Sequence, residues 1–309
     1  MRYRSPYHWE GILAFLAARG TPGVESVAGG VYRRSIAVNG IAGHFAVSRD
    51  AAGDALVAHV QFEEPRALFH ITERIRTLFD LNADCAAIAH GLRSDPMLAQ
   101  MMIAQPGRRV PGCWSGFELA VRAILGQQIA VKGATTLAGN IARAFGMPFV
   151  MSNGITRLFP TPEVLAEANL SRVGLTKARA HTIKSLSRAV CHGQIQFESI
   201  VDPDAFLQRL RLIPGIGKWT SDYVAMRALG DPDAFPSGDL GLLRAVGIES
   251  SRQFEQLATG WRPWRAYAAI YLWADGDGSM HKDGHRAATK RPARTARDGA
   301  ARSSALEVA

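Results

Sequence analysis

The chain has 309 residues, 47% of them hydrophobic, enough for a sizeable core in one to three domains. Its formal net charge of +9 favours an anionic partner such as nucleic acid, and no apolar run reaches the ~18 residues of a membrane-spanning helix. Cys85, Cys113 and Cys191 are odd in number, far apart and outside any Cys-x-x-Cys pairing, which argues against a zinc site or an iron–sulfur cluster and predicts free, mostly buried thiols.

The opening stretch, MRYRSPYHWE, lacks the charged-then-apolar pattern of a signal peptide, so a cytoplasmic protein is expected. Residues 8–20, HWEGILAFLAARG, have the spacing of an amphipathic helix. VYRRSIAVNG and IAGHFAVSRD alternate around Asn39-Gly40, a two-residue hairpin signal. ALVAHVQFE (55–63) reads as a third strand, and EPRALFHITERIRTLFDL (64–81) as a helix opened by Pro65. Together these segments predict a small α+β domain with an antiparallel sheet over residues 1–82.

Helical spacing then dominates, and no further strand is evident. DCAAIAHGL, DPMLAQMMIA, FELAVRAILGQQIA, VKGATTLAGNIARAFG and TPEVLAEANL all carry it. So do TKARAHTIKSLSRAVCHG, DPDAFLQRLRL, KWTSDYVAMRALG, DLGLLRAVGI and RPWRAYAAIYLWADG. Pro, Gly, Asn or Asp marks most junctions. An all-helical domain is expected over 83–276. Residues 277–309 are polar and basic, with seven Lys/Arg against three Asp/Glu over 280–309. They predict a disordered tail, inert or weakly attracted to nucleic acid. The fold class is therefore α+β: a small antiparallel-sheet domain, an all-α core and a basic tail.

The stretch LRLIPGIGKWTSDYVAMRAL (210–229) joins two helices through a glycine-rich hairpin. Gly215 and Gly217 permit left-handed backbone and close approach of another molecule. The second helix starts near Lys218, so its first amides point into the hairpin, where a phosphate is favoured. A purely structural turn is the competing reading. PDAFPSGDLGLLRA follows, with Asp239 just before the next helix.

LIPGIGKWTSDYVAMRALGDPDAFPSGDLGLLRAVG resembles the helix–hairpin–helix and Gly/Pro-Asp signature of base-excision DNA glycosylases. Within them it is most similar to the bacterial 3-methyladenine DNA glycosylase II group. SPYHWEGILAFLAARGTPGVESV resembles the start of that group's N-terminal domain, PGCWSGFELAVRAILGQQIAVKGATTLAGNIARAFG its first core helices, and WRPWRAYAAIYLWADG its last helix. The resemblance covers about residues 3–276 in order and implies a helical core with its cleft between two lobes.

The resemblance implies a role for each element of such an enzyme. Asp239, by local sequence an ordinary helix cap, matches the catalytic aspartate, which would stabilise an oxocarbenium-like sugar or orient the attacking water. Asp222, three residues after Trp219, is a second candidate for that site, and Asp231 and Asp233 read as turn residues. Trp219, Tyr223 and Trp273 match the walls of a base pocket, and Phe15 and Gln127 match further pocket positions. By spacing alone the aromatic residues read as core. Trp219 and Tyr223 are four apart and share a helix face. Aromatic faces attract a positively charged alkylpurine.

Trp219 also stands where strand-cutting relatives place a Schiff-base lysine. Lys218 lies about 100° away round a helix, so a monofunctional, water-using enzyme is implied. Gln128 matches the wedge that fills the gap left by a flipped base; it is polar here and suited to bonding the orphaned partner base. Two glutamines on a solvated helix face are the alternative. Thr176 as a helix cap with Lys177 beside it would bind DNA backbone or form a solvated basic helix. The resemblance further implies a monovalent cation, Na+ or K+, on the backbone carbonyls of Arg211, Ile213 and Gly215. No organic cofactor is expected. The implied activity is hydrolysis of the N-glycosidic bond of alkylated purines (3-methyladenine, 7-methylguanine) in double-stranded DNA by a monomer. A glycosylase for oxidised or deaminated bases and a non-catalytic DNA-binding module are the alternatives.

Overall fold

The structure, a computed structural model, describes residues 1–149, 151, 153–198 and 200–276. The tail expected at 277–309 lies outside the described residues.

The N-terminal sheet is an antiparallel meander of four strands in the order β1 (Glu25–Ala28), β2 (Val31–Val38), β3 (Ile41–Arg49), β4 (Leu56–Gln61). Asn39 and Gly40 turn the β2–β3 hairpin with φ of 51° and 79°, directly between the paired Val38 and Ile41. Three strands were expected; the fourth, β1, has only four residues, too few to show alternation. Its signal is Gly29-Gly30, both at positive φ, which turns β1 into β2. Tyr32, Ile36, Phe45, Val47 and Leu56 form the buried face. Two helices pack on it: α1 (Trp9–Arg19) through Trp9, Ile12, Leu13 and Leu16, and α2 (Leu68–Leu78) through Ile71, Ile75 and Leu78. The latter spacing of four and three keeps the three side chains on one stripe. Pro65 opens a 3-10 turn ahead of α2, with Glu64 capping the Arg66 amide at 3.1 Å.

The helical body holds two separate apolar clusters. One joins α5 (Gly116–Gly126), α6 (Val131–Phe145), α7 (Pro162–Glu167), α8 (Lys177–Cys191) and α9 (Pro203–Arg211). The other joins α3 (Cys85–Leu92), α4 (Pro96–Ala104), α11 (Leu240–Val246), α12 (Ser251–Leu257) and α13 (Arg265–Gly276) around Trp261, Phe254 and Leu272. The chain crosses from the first to the second through α10 (Lys218–Val224) and a π turn at Ala225–Leu229. The sequence did not predict α12: Phe254 is its one buried residue, so it shows no apolar period.

The sheet meets the helical body across a buried charge cluster. Arg34 donates to Glu118 at 2.6 Å and Arg122 to Glu25 at 2.7 Å. Glu25 also accepts from the Tyr32 hydroxyl at 2.6 Å and the Thr21 amide at 3.0 Å. Burial opposes ionisation of Glu25, but Arg122, Arg34 and these two donors outweigh it and hold its carboxyl at about 2. Of the thiols expected to be free and mostly buried, all three are free, Cys85 is buried, Cys113 half-buried and Cys191 exposed at the end of α8.

Candidate active site

The hairpin between α9 and α10 closes tightly onto α8. Asp202 caps α9 by accepting the Ala205 amide at 3.0 Å. Gly215 has φ +90°, and a Cβ there would lie 2.1 Å from the Thr182 hydroxyl, so only glycine lets the hairpin close onto α8. Gly217 caps α10 without any side-chain bond, and open space surrounds the position a Cβ would take. The first amides of α10 therefore face outward from an exposed turn.

Neighbouring residues brace this turn. The Gln127 amide donates to the Gly215 carbonyl at 2.8 Å and to the Thr220 hydroxyl at 2.9 Å, and the Arg179 guanidinium bonds the Gln127 carbonyl. In the described structure Gln127 thus ties α5 to the hairpin. Gln128 does not lie on a helix face: α5 ends at Gly126, and Gln128 sits exposed in the turn before α6 with φ +56°. Thr176 caps α8 as expected, accepting the Arg179 amide at 3.3 Å, and Lys177 is exposed beside it.

Lys218 does not stand free. Its ammonium lies 2.8 Å from Asp222 and 3.4 Å from Glu255. Asp222 instead engages Lys218 and Arg211, and its carboxyl is raised by burial. A helix rotates about 100° per residue, so three residues after Trp219 Asp222 leaves that side chain's direction by ~60°. Asp231 is a turn residue, accepting the Asp233 amide at 2.8 Å. Asp233 does more: it holds α13 through Arg265 at 2.8 and 2.9 Å.

Asp239 lies between two of the aromatic residues, Trp219 and Trp273. It caps α11, its Oδ1 accepting the Leu242 amide at 3.0 Å. The same oxygen accepts the Trp273 indole N–H at 3.0 Å, and Oδ2 accepts the Trp219 indole N–H at 3.0 Å. Three neutral donors thus orient a half-buried carboxylate, and among the described residues no cation forms an ion pair with it. Trp219 stacks on Tyr223 with centroids 5.4 Å apart and rings 11° from parallel. Tyr223 meets Trp273 edge-on at 6.2 Å, and Phe15 from α1 lies 6.5 Å from Trp273. The structure therefore brings together Asp239, Trp219, Tyr223, Trp273 and Phe15, from α1, α10, α11 and α13.

Two arginines of this cluster were not expected. The Arg19 guanidinium lies 4.1 Å from the Phe15 ring centre and 6.0 Å from that of Trp273. The buried Arg227 guanidinium lies 4.9 Å from Phe15 and 5.4 Å from Tyr223, and donates to the Tyr223 hydroxyl at 2.8 Å. Each follows an aromatic residue of the cluster by four residues, Phe15 to Arg19 and Tyr223 to Arg227, the spacing at which helical side chains meet. Burial pushes the Tyr223 phenol up, but Arg227, Arg19 and Arg122 overcome it and hold the phenol below its ordinary value.

The hairpin carbonyls keep the capacity for a cation. The Gly215 carbonyl accepts Gln127 and the Ile213 carbonyl accepts the Ile216 amide at 3.0 Å, and each oxygen has a second lone pair. Neutral oxygens of this kind fit a hard monovalent ion. Among the described residues, no group of His, Cys, Asp and Glu is arranged to hold a metal, and no helix is long and apolar enough to cross a membrane.

Comparison with known proteins places these features in context. The AlkA N-terminal domain family matches residues 1–115, and the HhH-GPD superfamily base excision DNA repair protein family matches residues 121–250. A protein of Escherichia coli (strain K12) named DNA-3-methyladenine glycosylase 2 is 33% identical over 284 residues, covering 88% of this chain and 95% of its own length. A Mycobacterium tuberculosis protein named "Probable bifunctional transcriptional activator/DNA repair enzyme AlkA" is 38% identical over 278 residues. The match covers 87% of this chain and 55% of that protein, so the chain spans about half the length of this relative. The solved structure of a 3-methyladenine DNA-glycosylase from Archaeoglobus fulgidus shares the fold, with a TM-score of 0.79 over 90% of this chain and 98% of that one at 24% identity.

Proposed function

The chain belongs to the HhH-GPD superfamily of base excision DNA repair proteins, and from that premise we propose that it is a monofunctional DNA glycosylase for alkylated purines. The observation that carries this reading is the Asp239 carboxylate, held by the indole N–H groups of both Trp219 and Trp273 inside an aromatic cluster. A flipped base would stack among Trp219, Tyr223, Trp273 and Phe15. As the glycosidic bond breaks, Asp239 would face the positive charge developing on the sugar and orient the water that attacks it. The charge is available because its three hydrogen-bond partners are neutral.

The turn at Gly215 and Gly217 would hold one phosphate through the outward amides of α10. Thr176 and Lys177 would extend backbone contact along α8. A monovalent cation on the carbonyls of Arg211, Ile213 and Gly215 would add positive charge at the hairpin. Lys218 contributes less than its charge suggests, since Asp222 and Glu255 engage it. Gln128, projecting from the turn braced by Gln127, would enter the space left by the flipped base. Trp219 occupies the place of a Schiff-base lysine, so the product would be an abasic site in an uncut strand.

We draw the domain boundary near residue 82, because α3 and α4 share their core with α11 to α13 and not with the sheet. The cleft would lie between the two apolar clusters of the body, near α10, which crosses between them. The protein would act as a monomer on double-stranded DNA in the cytoplasm. The deciding experiment incubates it with methylated duplex DNA and identifies the freed bases. Release of 3-methyladenine and 7-methylguanine, with strand breaks only after alkali, is expected. Absence of both bases would favour oxidised or deaminated substrates, and breaks without alkali would reject the monofunctional assignment.

A further inference from the structure

We propose that the guanidinium groups of Arg227 and Arg19 set the pocket's preference between positively charged and neutral damaged bases. The proposal rests on reading the aromatic cluster as the base pocket. Arg227 lies between Phe15 and Tyr223, and Arg19 between Phe15 and Trp273. A base stacked among these rings therefore sits within several ångströms of two permanent positive charges.

The charge of Arg227 is not spent locally. Its three hydrogen bonds go to neutral oxygens: the Pro111 carbonyl at 2.7 Å, the Gly112 carbonyl at 2.8 Å and the Tyr223 hydroxyl at 2.8 Å. Only 3% of Arg227 is exposed, so water screens it little. Arg122, the next cation inward, differs because Glu25 and Glu118 neutralise it. The same guanidinium groups hold the Tyr223 phenol below its ordinary value although burial pushes the other way.

This field acts oppositely on the two classes of base. A base carrying an N-alkyl positive charge enters the pocket against it. When its bond to C1′ breaks, the electron pair returns to the ring, the base leaves neutral, and the attacking water releases its proton to solvent. A neutral base binds without that repulsion. When its bond breaks, the same electron pair makes the departing base an anion, which the guanidinium groups stabilise until the proton of the attacking water neutralises it. The two arginines thus weaken cationic substrates at binding and assist neutral ones at departure. Asp239 supports sugar cleavage for both.

The test compares kcat/KM for release of 7-methylguanine, a cation in DNA, and of hypoxanthine, a neutral base, from otherwise identical duplexes. Arg227→Gln should shift the ratio toward 7-methylguanine by roughly tenfold. Arg227→Lys, which keeps the charge but not the three hydrogen bonds, should lower both rates and leave the ratio within about twofold of wild type. Arg19→Gln should shift it in the same direction as Arg227→Gln, by less, because Arg19 is partly exposed. Equal losses on both bases in Arg227→Gln, or the same shift in Arg227→Lys, would overturn the proposal. If Arg227→Gln does not fold, Arg19→Gln decides, and an unmoved ratio there overturns it. A wild type that releases neither base would instead overturn the reading of the pocket itself.

Discussion

Glu25 and Asp239 are both carboxylates oriented by several hydrogen bonds, yet their surroundings are opposite. Glu25 is buried, paired with Arg122 and flanked by Arg34, and bonded by Tyr32 and Thr21. Its charge is consumed in joining the sheet to α5. Asp239 is half-buried and held by two indole N–H groups and one amide. Neutral donors fix its direction without cancelling its charge. The contrast separates a carboxylate that builds structure from one free to act on a substrate.

The largest effect should come from Asp239→Asn. Asparagine still caps α11 but carries no charge. Base release should fall by at least about a hundredfold, while duplex binding, read by fluorescence anisotropy, stays near wild type. If Glu25→Gln lost as much activity per folded molecule, the contrast would collapse. Glu118→Gln is expected to act on stability instead. It leaves the buried Arg34 only the 3.8 Å contact to Glu25 as an ion pair and should lower stability by about 3 kcal/mol in thermal or urea unfolding, with catalysis by the remaining folded protein unchanged.

The pH dependence of stability sharpens the same contrast. The Glu25 carboxyl lies at about 2 in the folded protein against 4.5 ordinarily. Its contribution is present above pH 4.5 and is lost as pH falls toward 2. Asp80 runs the other way. Burial raises it from 3.8 to about 6, against the pull of Arg109 and the bonds from Tyr267 and Val110. Folding then favours its protonated form, so stability declines as pH rises from about 4 through 6. Asp80→Asn should remove that decline in urea unfolding measured from pH 3 to 8, and an unchanged profile would reject the assignment.

Smaller effects follow. Trp273→Phe removes one of the two indole donors to Asp239 and should reduce base release about tenfold, the worth of one hydrogen bond to a charged group. Lys218→Ala should weaken DNA binding only a few-fold and lower the salt slope by less than one, because Asp222 and Glu255 already engage the ammonium. A slope change of a full unit would show that DNA draws Lys218 away from both.

Local chemistry made much of this protein readable from its sequence. Asn39-Gly40 announced a hairpin because few residues adopt two successive positive φ angles. Thr176 and Asp239 marked helix starts through bonds made within three residues of chain, and Pro65 through its ring-fixed φ. Motifs quoted from several stretches pointed to one family because their spacing reflects one shared architecture. Segments without local period, β1 and α12, escaped notice because neighbours elsewhere in the chain decide their structure.

Tertiary structure alone decided which charges are spent and which remain available. Sequence places Lys218 beside a phosphate-binding turn, but folding brings Glu255 onto it. Sequence offers Gln127 as a pocket residue, but folding ties its amide to Gly215 and Thr220. Conversely, helical spacing sets Arg19 beside Phe15 and Arg227 beside Tyr223, but nothing in the order of residues brings the two pairs together. Only the approach of Phe15 in α1 to Trp273 in α13 and to Arg227 in the π turn sets them beside the same rings. The physical reason is range. Turns and caps are settled by bonds a few residues long, whereas the effect of a charge depends on every group within several ångströms, wherever in the chain it originates.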